Sequence, residues 1–126
     1  MDDPILVVDD DPRVRQLIRW ALEDEGFAVD TASDGRQAVE HANQRRPSLV
    51  VLDLNLPVLN GARVADALQH LAGGVPPILV ITADESGAEA AAQMGAVSLL
   101  RKPFGVDELM DAVRRGLALD HRPSPY

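Results

Sequence analysis

Residues 5–12, with the sequence ILVVDDDP, decide how the chain begins to fold, because they join an apolar strand to a polar turn and a helix. The four aliphatic residues predict a strand that is covered on both faces, since no polar residue alternates with them. Asp11 suits the N-cap of a helix, and Pro12 suits its first turn because proline has no N–H to leave unpaired. Asp9 and Asp10 are left in the turn between the strand and the helix.

The same unit, an apolar run followed by a helical pattern, occurs five times along the 126 residues. Continuous apolar strands need helices on both faces, which is typical of a parallel sheet. Five units are too few for an eight-stranded barrel, which needs about 250 residues. The predicted fold class is therefore α/β, an open, doubly wound parallel sheet. The pattern predicts strands at residues 5–8, 27–31, 48–52, 77–81 and 96–100, and helices that begin at or near residues 12, 35, 60, 86 and 106, the second of them ending at Arg46.

Composition places the chain among soluble globular domains. Hydrophobic residues make up 46% and charged residues 25%, and no apolar run is long enough to cross a bilayer. The net charge of −8 argues against nucleic-acid binding by this domain alone, because its surface would repel phosphate groups. With no cysteine, the chain has neither a disulfide framework nor a thiolate metal site. We expect one cytoplasmic domain over residues 1–119, no membrane partner, and a disordered tail over residues 120–126.

Polar side chains stand at four of the predicted strand ends. In open α/β sheets, ligands bind beyond the carboxyl ends of the strands, so these residues form the candidate site. Lysine is rare in this chain: eleven of the twelve basic residues are arginine, and the single lysine follows the fifth strand. The candidate residues are Asp9, Asp10, Asp53, Thr82 and Lys102.

Three carboxylates at one edge of the sheet need a cation among them. Two like charges about 4 Å apart cost roughly 4 kcal/mol at an effective dielectric constant of about 20. Lys102 supplies one positive charge and a divalent metal would supply two, which together balance the three aspartates. Oxygen donors favour Mg²⁺ or Mn²⁺ over zinc. A carboxylate beside a metal, an ammonium and a hydroxyl can attack a phosphoryl group, because those neighbours neutralise charge on its oxygens.

Taken together, these features resemble the receiver domains of two-component response regulators, of the type seen in the chemotaxis response regulator. The resemblance covers residues 4–118. It implies the flavodoxin-like (βα)5 fold with strand order 2-1-3-4-5. The matching stretches are residues 5–12 (ILVVDDDP), 52–57 (LDLNLP) with Gly61, 81–83 (ITA) and 102–104 (KPF).

The resemblance implies a phosphorelay chemistry for the site. Asp53 would be the phosphoacceptor, Thr82 would donate a hydrogen bond to the phosphoryl group, and Lys102 would contact its oxygens. The peptide bond between Lys102 and Pro103 would be cis. The chain would not be an enzyme beyond catalysing its own phosphorylation and dephosphorylation.

A magnesium ion belongs to the same resemblance. Asp10 and Asp53 would bind Mg²⁺ together with the backbone carbonyl of Asn55. Asp9 would act on the metal largely through bound water.

Partners are implied as well. The phosphoryl donor would be a histidine kinase or a histidine phosphotransfer protein. A downstream protein or output domain would bind the face formed by the fourth helix, the fifth strand and the fifth helix. Receivers commonly carry Tyr or Phe three residues before the site lysine, and that ring rotates on activation. Leu99 stands there in this chain, so the usual aromatic switch is missing.

Two other hypotheses stay open at the level of sequence. Asp9 and Asp11 form a DxD pattern after the first strand, and a threonine and a lysine follow in the order of haloacid-dehalogenase-like phosphohydrolases. Asp9 would then be the nucleophile, although the chain has no room for a cap domain and no second acidic pair after the lysine. The remaining hypothesis is a phosphorylation-independent interaction module, which Leu99 favours and the complete set of site residues opposes.

Overall fold

The computed structural model describes residues 3–54, 61–71, 74–83 and 87–120. Strands and helices alternate along them, and each strand is followed by a helix. The strands are β1 (Ile5–Val8), β2 (Val29–Ala32), β3 (Leu49–Asp53), β4 (Ile78–Thr82) and β5 (Ser98–Arg101). The helices are α1 (Pro12–Asp24), α2 (Gly35–Gln44), α3 (Gly61–Leu68), α4 (Gly87–Gln93) and α5 (Val106–Asp120).

All five strands form one parallel sheet in the order β2-β1-β3-β4-β5. Ile5 lies opposite both Val29 and Leu49, so β1 is paired on both edges. This is a flavodoxin-like α/β fold, which confirms the predicted fold class and strand order. Starting from β1, the chain places β2 on one side and β3, β4 and β5 on the other, so the strand order switches between β1 and β3. Open α/β sheets bind ligands at the carboxyl ends of the strands beside such a switch.

Two hydrophobic cores lie on opposite sides of the sheet, and each strand contributes to both. In β1, Leu6 and Val8 belong to one core, whereas Ile5 and Val7 belong to the other. Helices α2, α3 and α4 cover the first core, and α1 and α5 cover the second. Because both faces of β1, β3 and β4 are buried, these three strands carry no polar alternation, and the polar groups among them stand at or just after their ends. Strand β2, at the edge of the sheet, is partly exposed and carries Asp30 and Thr31 in its middle.

Aspartates begin the first two helices. The carboxylate of Asp11 accepts a hydrogen bond from the N–H of Arg13 at 2.9 Å, and that of Asp34 accepts one from Gln37 at 2.9 Å. The bond from Arg13 is also the main reason that the pKa of Asp11 lies below its ordinary value of 3.8. Asp11 is thus a helix cap, as the sequence predicts.

Several boundaries differ from the predicted ones by one or two residues. Strand β2 begins at Val29, two residues late, since Phe27 packs against the second core before the ladder starts. Helix α2 ends at Gln44 rather than at Arg46, whose guanidinium donates a hydrogen bond to the carbonyl of Gly74 at 3.1 Å. Strands β3 and β4 each continue one residue further than predicted, so each ends on a candidate site residue.

Helix α5 extends to Asp120, the first residue of the expected tail, which therefore belongs to the helix. Residues 121–126 lie outside the described ranges, and so do the predicted helix openings at residues 60 and 86. Within the described ranges, no helix combines the length and the apolar character needed to span a bilayer.

Gly116 of α5 lies where that helix packs closely on the sheet. A Cβ atom there would lie 2.8 Å from Leu49 Cδ1 and 3.3 Å from Val97 Cγ2. We expect Gly116→Val to lower the free energy of unfolding by about 1–3 kcal/mol, because its branched methyl groups overfill the core. Arg115→Val, on the exposed side of the same helix, should cost less than about 1 kcal/mol. Urea unfolding measures both values, and equal losses in the two variants would contradict the packing argument.

Candidate functional site

The carboxyl edge of the sheet carries the predicted site residues. Asp53 and Thr82 are the last residues of β3 and β4, Asp9 follows β1, and Lys102 follows β5. Backbone hydrogen bonds hold these ends in register: the N–H of Lys102 donates to the carbonyl of Thr82 at 2.8 Å, and that of Asp9 to the carbonyl of Ala32 at 3.2 Å. Neighbouring strands are only about 4.8 Å apart, so side chains that leave adjacent strand ends share a small volume.

Asp9 is fully buried, and its two carboxylate oxygens have different surroundings. Oδ1 accepts a hydrogen bond from the N–H of Asp11 at 2.9 Å. Oδ2 lies at an ion-pair distance of 3.1 Å from Lys102 Nζ, but no hydrogen bond of good geometry reaches it. Among the described residues, it is the one buried side-chain oxygen in this condition. Such an oxygen has lost its water without a full replacement, so it is suited to bind a cation.

The ammonium group of Lys102 bridges two carboxylates. Its Nζ lies 3.1 Å from Asp9 Oδ2 and 3.1 Å from Asp53 Oδ2, and it donates a hydrogen bond to the latter. Both aspartates are buried, whereas the lysine side chain remains 24% exposed. The peptide bond between Lys102 and Pro103 is cis, as predicted. One positive charge therefore stands between two buried negative ones.

Asp10 completes the acidic cluster. One carboxylate oxygen from each of Asp9, Asp10 and Asp53 lies within 4.8 Å of the other two. Asp10 is exposed, so the cluster opens to solvent on its side. Lys102 offsets one of the three charges, and the oxygen donors together with the unsatisfied oxygen of Asp9 fit a hard divalent cation such as Mg²⁺. The predicted backbone ligand, the carbonyl of Asn55, lies outside the described residues.

Burial controls the electrostatics of the cluster. Loss of water is the main reason that the pKa of Asp9 lies above its ordinary value of 3.8, and the neighbouring charge of Asp53 raises it further. The N–H of Asp11 and the ammonium of Lys102 act in the opposite direction without cancelling the rise. For Lys102, burial acts to lower the pKa, but the two buried aspartates outweigh it and hold the pKa above 10.5. The lysine is therefore charged at pH 7.

Thr82 is fully buried against the first residue of α4. A Cβ atom at Gly87 would overlap Thr82 Cγ2 and lie 2.9 Å from its Oγ1. The sequence did not predict this contact, since a glycine near a helix start carries no signal of what it packs against.

Arg15 is a second residue that the sequence analysis missed. Its Nη1 donates a hydrogen bond to the backbone carbonyl of Asp9 at 2.8 Å, which braces the turn between β1 and α1. The contact depends on where the first turns of α1 lie relative to the end of β1, and no local pattern reveals that.

Beside Lys102 lies an open, mainly apolar cavity of about 370 Å³. Leu17 of α1 lines this cavity and is 47% exposed, and it also lines a second open cavity together with Trp20, which is 62% exposed. An apolar surface beside a charged pocket is typical of a site that a protein partner covers. The cavity is lined by Val14, Leu17, Ala83, Lys102, Pro103 and Phe104.

Leu99 occupies the position at which the resemblance implies an aromatic ring. It lies in β5 opposite Val80, is half-buried, and packs against the core covered by α2, α3 and α4. Its aliphatic side chain has no hydroxyl group to offer a partner.

Comparison with known proteins connects this geometry to one family. A family model described as the response regulator receiver domain matches residues 5–114. The response regulators MprA of Mycolicibacterium vanbaalenii and Mycobacterium leprae are 42% and 41% identical to the chain over 123 residues, which are 96% of this chain and 52% of each relative. The chain thus spans about half the length of the curated relatives it matches.

Solved structures show the same fold. The chemotaxis response regulator CheY4 of Vibrio cholerae has a TM-score of 0.84 and 31% identity, and the match covers 93% of this chain and 100% of that one. NtrX from Brucella abortus in complex with ATP has a TM-score of 0.87 and 33% identity over 96% of this chain and 28% of that one.

The raised pKa of Asp9 leads to a prediction about stability. An acid whose pKa is higher in the folded than in the unfolded state destabilises the fold at pH values above both, and the penalty disappears as the pH falls through the folded value. Without metal at pH 7, Asp9→Asn should therefore raise the free energy of unfolding by about 1 kcal/mol. This advantage over the wild type should shrink as the pH is lowered toward 4.

Asp10→Asn is the matched control, because it removes the same charge from an exposed neighbour. Urea unfolding in EDTA at several pH values measures the three proteins. A less stable Asp9→Asn variant, or an advantage that grows on acidification, would show that the ionised carboxylate stabilises the fold.

Proposed function

The chain belongs to the family of response regulator receiver domains, and from that premise we propose that Asp53 is the residue that accepts the phosphoryl group. The observation that carries the proposal is the place of β3 in the sheet, between β1 and β4. A phosphoryl group on Asp53 would lie one strand away from Asp9 and one strand away from Thr82. From Asp9, Thr82 is two strands away, at roughly 10 Å, which is beyond the reach of a hydroxyl group.

The two candidate nucleophiles differ in how their oxygens are held. Asp9 is fully buried, with one oxygen held by the N–H of Asp11. Asp53 is 3% exposed, and one of its oxygens lies within 4.8 Å of an oxygen of the exposed Asp10. None of the findings favours the phosphohydrolase hypothesis with Asp9 as nucleophile, and the relatives described above are response regulators.

We propose that Asp9, Asp10 and Asp53 hold Mg²⁺, with the carbonyl of Asn55 as a further ligand. The metal would supply positive charge to the phosphoryl oxygens when it is bound. The support for this comes from the three convergent carboxylates and from the buried oxygen of Asp9 that lacks a well-aligned donor. Arg15 then has a positioning role, since it braces the turn that carries two of the three ligands.

Thr82 ends β4 and Lys102 follows β5, so they would act on the phosphoryl group from the side opposite to Asp9 and Asp10, which follow β1. In the resting protein, Nζ of Lys102 pairs with both Asp53 and Asp9 and offsets one of their two negative charges. A phosphoryl oxygen on Asp53 would offer this ammonium a charged acceptor, and Thr82 would donate a hydrogen bond from its hydroxyl. Such bonds to charged groups contribute about 1.5–3 kcal/mol, enough to shift a two-state loop about tenfold.

A protein donor that carries phosphohistidine, either a histidine kinase or a phosphotransfer protein, fits the surroundings of the site. The exposed side chain of Leu17 lines the cavity beside Lys102, and the exposed Trp20 shares the next cavity with Leu17, so a docking donor would bury both. In this proposal the chain catalyses only its own phosphorylation and dephosphorylation, and it works in the cytoplasm. A downstream partner or output domain would bind the face of α4, β5 and α5, which includes Leu99.

Chemical labelling tests the identity of the nucleophile. With Mg²⁺ and acetyl phosphate, we expect one phosphoryl group on Asp53, because it alone lies between the metal ligands of β1 and Thr82 of β4. Borohydride reduces an aspartyl phosphate to homoserine, so peptide mapping identifies the residue. Asp53→Asn should reduce labelling to background. Homoserine at Asp9 would instead support the phosphohydrolase hypothesis.

Metal titration tests the ligand set. Asp10→Asn should weaken Mg²⁺ binding about tenfold or more, equivalent to about 1.4 kcal/mol, because a hydrated cation loses a charged ligand. Asp11→Asn is the control: it removes the same charge one residue along the chain and keeps a good helix cap. Calorimetry or amide chemical shifts report the affinity. If both variants lose affinity equally, the effect is general charge and Asp10 is not a ligand.

A further inference from the structure

Gly87 is the first residue of α4, and its backbone conformation does not require glycine. Its φ lies outside the left-handed region that favours glycine, and glycine within a helix costs about 0.5–1 kcal/mol relative to alanine. The explanation lies in packing. A Cβ atom there would overlap Thr82 Cγ2 and lie 2.9 Å from Oγ1 and 3.0 Å from Cβ of the same side chain. The resting threonine thus occupies the space that a side chain at position 87 would need.

Helix α4 is lightly attached to the rest of the molecule. Of its seven residues, Gly87 and Ala91 are the buried ones, and both have little side chain to bury. The contact with Thr82 is therefore a large part of what holds the first turn of α4. An element with few buried contacts is readily displaced when one of them is lost.

Leu99 removes the usual alternative route for the signal. Leu99 has no aromatic ring that could fill the space that Thr82 leaves. Gly87 borders this space directly.

We propose that Gly87 is a positioning residue for Thr82 and couples it to α4, so that the threonine and the helix start move as one element. This inference rests on the proposed function, because it needs a phosphoryl group on Asp53 to attract the Thr82 hydroxyl. When Thr82 turns toward that group it leaves Gly87, and the first turn of α4 shifts into the vacated space. Coupling of this kind is reciprocal, so a partner that displaces α4 also frees Thr82 for the phosphoryl group.

The variant Gly87→Ala tests the coupling, because its methyl group denies Thr82 the resting position. In NMR spectra of the wild type, Mg²⁺ with beryllofluoride, a stable phosphoryl analogue, should move the Thr82 methyl signal and the amide signals of residues 87–93. Unliganded Gly87→Ala should show both sets displaced in the same direction, by at least half of that change. Gly105→Ala is the control, because a Cβ there meets nothing closer than Glu108 Oε1 at 3.7 Å.

A second substitution makes the test specific to one contact. Thr82→Ser removes Cγ2, the atom that the new methyl group would overlap, and keeps the hydroxyl. The double variant Gly87→Ala/Thr82→Ser should therefore return the α4 amide signals toward those of Thr82→Ser alone. If Gly87→Ala does not fold, the double variant should recover the fold. Failure to recover either the fold or the signals would overturn the proposal.

The remaining outcomes separate this inference from the proposed function. If Asp53 is labelled normally but Gly87→Ala leaves the Thr82 methyl signal in place, the coupling is refuted and the phosphoacceptor stands. The same conclusion follows if beryllofluoride moves Thr82 and leaves residues 87–93 unchanged. If acetyl phosphate does not label Asp53 in the wild type, the proposed function itself fails.

Discussion

The repulsion among three carboxylates at one edge of the sheet is the constraint on which the rest of the structure depends. Asp9 and Asp53 are buried side by side, and Asp10 lies within 4.8 Å of both. A single ammonium group, 3.1 Å from each buried carboxylate, offsets part of this charge. The remaining excess of negative charge is a cost that the folded protein carries at this edge, and under the proposed function a bound divalent cation would offset it.

The two cores make this cost tolerable. Strands with aliphatic residues on both faces lock the sheet between two layers of helices, so the strand ends cannot move apart to relieve the repulsion. The identity of the cation in the pocket matters for the same reason. A lysine ammonium is a compact point charge that fits between two buried carboxylates, whereas the wide planar group of arginine would not. The other eleven basic residues of the chain are all arginine, so lysine is used at the one basic position that lies between two buried carboxylates.

The helices of the domain differ in how much apolar side chain holds them to the sheet. Helices α1 and α5 bury large aliphatic groups, among them Ile18, Leu22 and Leu109. Helix α4 buries a glycine and an alanine. The domain thus combines helices held by large buried side chains with one helix, α4, that buries only small ones, and the coupling that we propose between Thr82 and Gly87 would act on that helix.

The sequence by itself determined the α/β class and the five strand–helix units, and it identified polar residues that the structure brings together at the carboxyl edge of the sheet, because these depend on local patterns. Runs of aliphatic residues reveal doubly covered strands, and polar residues at their ends mark the edge where the candidate site lies. Lys102 could be recognised as a candidate site residue because it is the single lysine of the chain. Asp11 could be recognised as a helix N-cap because Pro12 follows it. The strand order came from resemblance to a family, since hydrophobic periodicity does not record which strands are neighbours.

Only the tertiary structure decided how the site residues differ from one another. Asp9 and Asp10 are adjacent and chemically identical and both contribute to the cluster, yet Asp9 is buried and Asp10 is exposed. Arg15 meets the carbonyl of Asp9, and Gly87 meets Thr82, through the packing of helices on the sheet. Such contacts depend on where whole elements come to rest, and that is settled by the two cores rather than by any local stretch of sequence.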